Sequence, residues 1–351
     1  MEYIELFAGI GGFRYGLENC NRWITKTSES EKGQEQSRTN RGNGQRWRTN
    51  SFACVYANEW DKYACQIYRK NFGNKELYEG DITKVSAESI PNFDLLVGGF
   101  PCQRFSIAGK RKGMSEEDTS GFEFFEVYRI AKVRRPKLLL LENVPGLFSS
   151  RGGKDFHTIL KSLDEIGYDV EWDCINTSAF LPQNRLRVFI VGHLRGTGGQ
   201  KVFPIGENDE IFNGEDKSKE GRTQAEISTT LRGSEMKADH TYIKEQIAID
   251  KVRDGCLKAI REATLSYIQN PKLISYKKQN IAGSLISSQY KEPQIVNGIR
   301  RLTPTECERL QGFPDGWTEG ISDTQRYKCL GNAVTTNVIT EIGKKIILVE
   351  V

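Results

Sequence analysis

Cys102 lies next to the end of the stretch DLLVGGFPCQ (94–103), in which a short apolar strand, Leu95 to Val97, runs into a Gly98-Gly99 turn. A thiol delivered there stands at the carboxyl end of a buried strand, where open α/β sheets place their ligands. A second apolar run, Leu138 to Leu141, ends in Glu142-Asn143. A thiolate adds to electrophilic carbon, and a positioned carboxyl group delivers or shares a proton. The three histidines, His157, His193 and His240, all fall outside the cysteine's stretch, which disfavours a Cys-His hydrolase.

The elements that must position these groups read as strand and helix in alternation. Tyr3 to Phe7 is a strand, followed by Gly9, Gly11 and Gly12 and a helical pattern through Leu17. This arrangement lets backbone approach a nucleotide-like ligand closely, although the spacing is not the GxGxxG of dinucleotide folds. Phe52 to Ala57 is the next strand, ending in Asn58-Glu59-Trp60, with a helix from Lys62 to Asn71 behind it. An acidic residue at the end of a second strand holds ribose hydroxyls in βαβ nucleoside sites, and an adjacent aromatic can lie against a purine. The following unit ends in Gly80-Asp81-Ile82. Successive strands after the first thus end in Glu59, Asp81, Cys102 and Glu142. Any one of the carboxylates could serve as a helix N-cap, but that role absorbs the whole series poorly. Arg185 and Arg187, with Gln183 before them, lie two apart beside the strand Leu186 to Val191, so alternation can aim all three to one face.

Composition sets the frame. The 351 residues are 37% hydrophobic, enough for a sizeable core, and the net charge of +4 is too mild to declare a nucleic-acid partner by itself. Eight cysteines are scattered without a CxxC pair, which argues against a zinc site or a secreted disulfide framework, so no metal is expected. With no signal peptide and no run of eighteen apolar residues, the chain reads as cytoplasmic, reduced and free of the membrane. Residues 25–50 are polar, glycine-bearing and without apolar periodicity, and read as a flexible surface insertion.

FAGIGGFRYGLE, NEWDKYA, EGDIT, GGFPCQRFSIAGKRKG, LLLLENVPG, QNRLRVFIVG, RRLTPTECERLQGFPDGW and KCLGNAVTTN stand in the order, and near the spacing, of the motifs of DNA (cytosine-5) methyltransferases, and the chain resembles that family. The resemblance implies an α/β fold with a doubly wound, mostly parallel sheet, the class I S-adenosylmethionine-dependent methyltransferase fold, with a second, smaller target-recognition domain. It divides the chain into a catalytic domain, residues 1–195 plus 321–351, and a recognition domain, residues 196–320. Cys102 would add to C6 of cytosine and Glu142 would meet the N3 edge. Arg185 would face the base and Arg187 would order the catalytic groups. Phe7, Gly9, Gly11 and Phe13 would surround S-adenosylmethionine, Glu59 would take its ribose, Trp60 the adenine face, and Asp81 with Ile82 the adenine edge. Gly331, Asn332, Ala333 and Val334, starting the last helix, would pack beside the first motif.

The polar loop from Arg104 to Gly121 would close over DNA once the target base is turned out of the duplex, with Gln103 and Ser106 as DNA contacts. Ala108 and Ser120 depart from the family pattern in this loop. Residues 196–298 match nothing specific. Within them Ile249, Val252, Cys256, Ile260, Ala263 and Tyr267 repeat at three and four, so an amphipathic helix over Tyr242 to Gln269 is expected. Thr230-Leu231 and Ser284-Leu285 both resemble the hydroxyl-plus-aliphatic pair near the target base, and Ser284 lies at the more usual distance before RRLTPTEC.

The implied activity is methyl transfer to C5 of cytosine in a specific double-stranded DNA sequence. Because the motifs begin within the first residues, the expectation is a stand-alone prokaryotic enzyme, paired with a restriction endonuclease and associated with the nucleoid through DNA. A tRNA cytosine-5 methyltransferase and a non-catalytic DNA-binding regulator on the same fold are the alternatives; intact Cys102, Glu142, Arg185 and Arg187 argue against the regulator.

Overall fold

The computed structural model describes residues 1–22, 51–100, 123–198, 200–205 and 302–349. Cys102, Gln103, Ser106 and Ser284 lie outside the described residues, as do the insertion 25–50, the loop 104–121 and the helix expected over 242–269. In chain order the elements are β1 (Glu2–Leu6), α1 (12–22), β2 (Ala53–Glu59), α2 (Lys62–Phe72), β3 (Leu77–Glu79), β4 (Leu95–Gly99), α3 (Glu123–Arg134), β5 (Leu138–Asn143), α4 (Lys154–Glu165), β6 (Tyr168–Asn176), β7 (Leu186–Leu194), α5 (Pro304–Leu310), α6 (Asp323–Asn332) and α7 (Thr336–Val349). They fall into two compact units, one of residues 1–99, 179–181 and 284–351, the other of residues 100–178 and 182–283.

In the first unit β3, β2, β1 and β4 lie side by side in that order, all parallel. Parallel strands buried on both faces read as continuous apolar runs, and Leu95, Leu96 and Val97 are fully buried accordingly. β4 continues through Gly98 and Gly99, which form strand and not the turn that a glycine pair suggests. The cause is close approach: a Cβ on Gly98 would stand 2.8 Å from the carbonyl oxygen of Leu6 on β1. Asp61 caps α2 through the N–H groups of Tyr63 and Ala64, and Gly73 ends the helix at φ 84°.

The C-terminal helices belong to this same unit. Thr303 and Glu306 close a capping box on α5, with Pro304 in its first turn. α7 lies against α1 because two glycines permit it: a Cβ on Gly16 would stand 2.6 Å from Ile339, and one on Gly343 would stand 2.7 Å from Cys20 Sγ. The last helix begins at Thr336, five residues later than the sequence suggests. Gly331 and Asn332 instead end α6, and Ala333 is extended (φ −68°, ψ 148°). Gln311 stabilises that break, donating to Leu330 O at 2.9 Å while its own carbonyl accepts from Thr336 N.

The second unit holds β5, β7 and β6 side by side in that order, antiparallel throughout. Phe156 of α4 meets Trp172 of β6 edge-on at 5.2 Å. Beside it Glu171, 1% exposed, receives Val202 N at 2.7 Å and Phe203 N at 3.2 Å, and lies 2.8 Å from His193 Nε2. One carboxylate thereby anchors the chain that leads toward residue 206. Glu171→Leu would strand those donors in a dry interior, so urea unfolding is expected to show a loss of about 3 kcal/mol. A loss below about 0.5 kcal/mol, the scale of an ordinary surface change, would contradict the anchor.

Candidate active site

At the carboxyl ends of β1 and β2 the chain builds a cradle around one carboxylate. Phe7, the residue after β1, has φ 54°, and Gly9 and Gly11 follow at φ 56° and 81°. The tight left-handed turn draws the Gly9 N–H onto Glu59 Oε2 at 2.7 Å, and Ala8 N reaches Asn58 O at 2.9 Å. Glu59 Oε1 accepts Trp60 N at 2.9 Å and Asp61 N at 2.8 Å. Burial raises the pKa of Glu59, opposed by those same three N–H groups. A Cβ on Gly9 would meet nothing within 4 Å, so open space lies against the turn. Trp60 is 76% exposed, leaving the indole face available to a flat ring.

Other expected cofactor residues sit around this cradle in the same unit. Asp81 caps the short turn Ile82–Lys84, accepting Thr83 N at 3.0 Å and Thr83 Oγ1 at 2.8 Å, and those bonds hold its carboxyl below the usual range. Ile82 is buried. Asn58 Nδ2 donates to Gly80 O at 2.9 Å, tying this segment to β2. Phe13 is buried in α1. Val334 packs on the first motif, since a Cβ on Gly12 would stand 2.7 Å from Val334 Cγ1; Ala333 is buried beside it and Asn332 is exposed. The arrangement fits a nucleoside: a buried acid, an open glycine turn and an exposed aromatic ring on successive strand ends.

Two supports of the cradle escape a local reading of sequence. Glu5 is fully buried in the middle of β1, where it accepts Arg14 N at 3.4 Å and Tyr68 Oη at 3.2 Å. Burial pushes its carboxyl up to about 8, against the opposing pull of Arg14. Asp61 Oδ2 binds Lys328 Nζ of α6 at 2.7 Å. Against a desolvation penalty, that ammonium and the N–H groups of Ala64 and Tyr63 hold Asp61 below the usual carboxylate range. A lone carboxylate inside the apolar run YIELF is the only signal that marks Glu5 beforehand.

The second unit carries a charged cluster of its own. Glu142, next to last in β5, pairs with Arg187 Nε of β7 at 3.0 Å, both side chains about 15% exposed or less. Arg185 precedes β7 and extends its ladder, since Thr177 N donates to Arg185 O at 2.9 Å. Its side chain is 2% exposed, and burial followed by the like charge of Arg187 pushes the guanidinium down to about 9, opposed by Glu142. It remains protonated at neutral pH. The structure therefore brings Glu142, Arg185 and Arg187 together, and buries Gln183 beside them in sequence. Asn143 Nδ2 donates to Phe100 O at 3.2 Å, which fixes backbone two residues before Cys102. Chemically this cluster presents a carboxylate whose charge is held by guanidinium groups in a largely dry setting, suited to recognise a polar ring edge. Among the described residues no group of three or more His, Cys, Asp or Glu is placed to hold a metal, and no helix is long and apolar enough to cross a membrane.

The model of the family described as C-5 cytosine-specific DNA methylase matches residues 1–348. The chain is 35% identical to the type II methyltransferase M.HpaII of Haemophilus parainfluenzae over 98% of its own length and 88% of that protein. To the type II methyltransferase M.HaeII of Haemophilus aegyptius it is 33% identical, over 98% and 92% of the two chains. A solved structure of an Escherichia coli prophage-encoded protein, titled a DNA modification methyltransferase, shares the fold with a TM-score of 0.58 at 18% identity, covering 99% of both chains.

Proposed function

The chain belongs to the C-5 cytosine-specific DNA methylase family, whose members use S-adenosylmethionine, and from that premise we propose how its own residues carry the reaction. The substrate is cytosine in DNA and the product is 5-methylcytosine. Bound S-adenosylmethionine supplies an electrophilic methyl group on a sulfonium. Cytosine C5 is a weak nucleophile until the ring is activated, so Cys102 adds as thiolate to C6 and C5 becomes enamine-like. Glu142 favours a proton at N3, drawing charge from the ring as the thiolate adds. Arg185 faces the base, and Arg187 holds Glu142 in place. C5 would take the methyl as the donor leaves as S-adenosylhomocysteine, and loss of the C5 proton then expels Cys102 and restores the ring. C6 is inaccessible in a stacked pair, so the target base leaves the duplex first.

Phe7, Gly9, Gly11, Phe13, Glu59, Trp60, Asp81, Ile82, Asn332, Ala333 and Val334 hold the donor in this reading. The observation that carries it is the Glu59 cradle, which presents an acid, an open glycine turn and a bare indole at strand ends. The catalytic domain comprises residues 1–195 plus 321–351 and the recognition domain residues 196–320, with Gln103, Ser106 and Ser284 on the DNA. The enzyme is the modification partner of a restriction endonuclease and works in the cytoplasm on nucleoid DNA, in keeping with the type II names of its relatives.

Bisulfite sequencing of a host genome expressing the gene tests this reading. Cytosines at one position of one short sequence are expected to resist conversion. Uniform conversion, or labelled methyl transfer to tRNA and not to DNA, would overturn it.

A further inference from the structure

We propose that Trp317, aimed by the buried carboxylate of Glu308, is a positioning residue for the methyl donor, which it serves by pinning the turn 7–13. The indole Nε1–H donates to Ile10 O at 3.1 Å, a bond between residues 307 apart in sequence. Ile10 lies between Gly9 and Gly11, so the bond holds the backbone of the open turn from behind. The ring is itself clamped: Tyr15 lies 4.9 Å away, Phe313 5.0 Å and Phe72 5.5 Å between centroids. Those neighbours also close on the glycines. A Cβ on Gly11 would fall 2.2 Å from Phe72, and one on Gly12 would lie 3.6 Å from Phe313.

Glu308 explains why the indole points this way. It is fully buried on α5 and accepts Gly316 N at 2.8 Å and Thr318 N at 2.7 Å, the two residues that flank Trp317. Arg326 Nη2 neutralises it at 3.1 Å. From α2, Lys70 Nζ donates to Gly316 O at 2.6 Å and Glu319 O at 3.1 Å, and Asn71 Nδ2 donates to Trp317 O at 3.1 Å. So many polar bonds on one short loop fix a single side chain, and that side chain's one polar atom is spent on the glycine turn.

The proposal rests on the reading that this turn lines the donor site. Trp317→Phe keeps the aromatic packing and removes the N–H. Titration calorimetry with S-adenosylmethionine and with S-adenosylhomocysteine is expected to show affinity weakened about tenfold, as an unsatisfied buried carbonyl implies. At saturating donor, kcat should return to within about twofold of wild type and KM for DNA should hold, a split that general destabilisation would not produce. Folded Trp317→Phe with donor affinity within about twofold of wild type would overturn the proposal. Should that variant not fold, Lys70→Met, at the loop's exposed side, is expected to raise KM for the donor two- to threefold, and an unchanged KM would overturn the proposal equally. Glu59→Ala separates the two ideas: weakened binding there with none in Trp317→Phe removes the pin alone, whereas no effect in either removes the donor site itself.

Discussion

Cys102→Ser is expected to lower methyl transfer by at least ~10⁴-fold, the scale on which removing a covalent nucleophile acts. A serine hydroxyl is far less acidic than a thiol and needs a base to become nucleophilic. No histidine stands in its sequence neighbourhood, and among the described residues His193 is committed to Glu171. Five of the six described cysteines cannot substitute. Cys20, Cys54, Cys65, Cys307 and Cys329 are thiols that burial pushes up to about 12, so none is a thiolate at neutral pH. Binding of S-adenosylmethionine should be unchanged in Cys102→Ser, because the groups proposed to hold it lie at the ends of β1, β2 and β3, on α1 and at the break between α6 and α7. Steady-state transfer of labelled methyl, with donor affinity measured alongside, checks both halves of the expectation.

Glu142→Gln is expected to reduce kcat about 10²- to 10⁴-fold, the usual range for a group that manages a proton in the transition state. The amide keeps the shape and can still accept from Arg187, but it cannot hold negative charge against an N3 proton. Two guanidinium groups, Arg185 and Arg187, then stand near each other with their carboxylate counter-charge gone. Some stability is lost for that reason, about 1–2 kcal/mol for a weakened charge-assisted bond in a partly buried setting. Thermal denaturation separates this from catalysis: a kcat within about tenfold of wild type in a folded variant would remove Glu142 from the chemistry.

Much of this arrangement was legible in the chain because strand ends announce themselves. Apolar runs such as Leu138 to Leu141 stop at polar residues, and the types of those residues narrow the chemistry before any fold is known. β1, β2, α2, β5 and β7 fall within a few residues of the stretches that their patterns mark. What the pattern leaves hidden depends on contacts between distant segments. Nothing local distinguishes Gly98 as a residue packed under Leu6 O from a glycine that makes a turn. The start of α7 at Thr336 depends on Gln311, which takes the last turn of α6 from across the fold. Glu5 and Glu308 are single acids inside apolar surroundings, and only their buried partners, Tyr68 and Arg14 for one and Arg326 for the other, give them meaning. The Trp317 indole is an ordinary core aromatic until Ile10 O is found beside its N–H.

Covalent trapping tests the central claim most directly. Duplex DNA carrying 5-fluorocytosine at the methylated position, incubated with the protein and S-adenosylmethionine, is expected to give a denaturation-resistant adduct, because fluorine cannot depart from C5 as a proton does. Peptide mapping should place the adduct on Cys102, and Cys102→Ser should give none. An adduct that persists in Cys102→Ser, or that maps to another residue, would contradict the account.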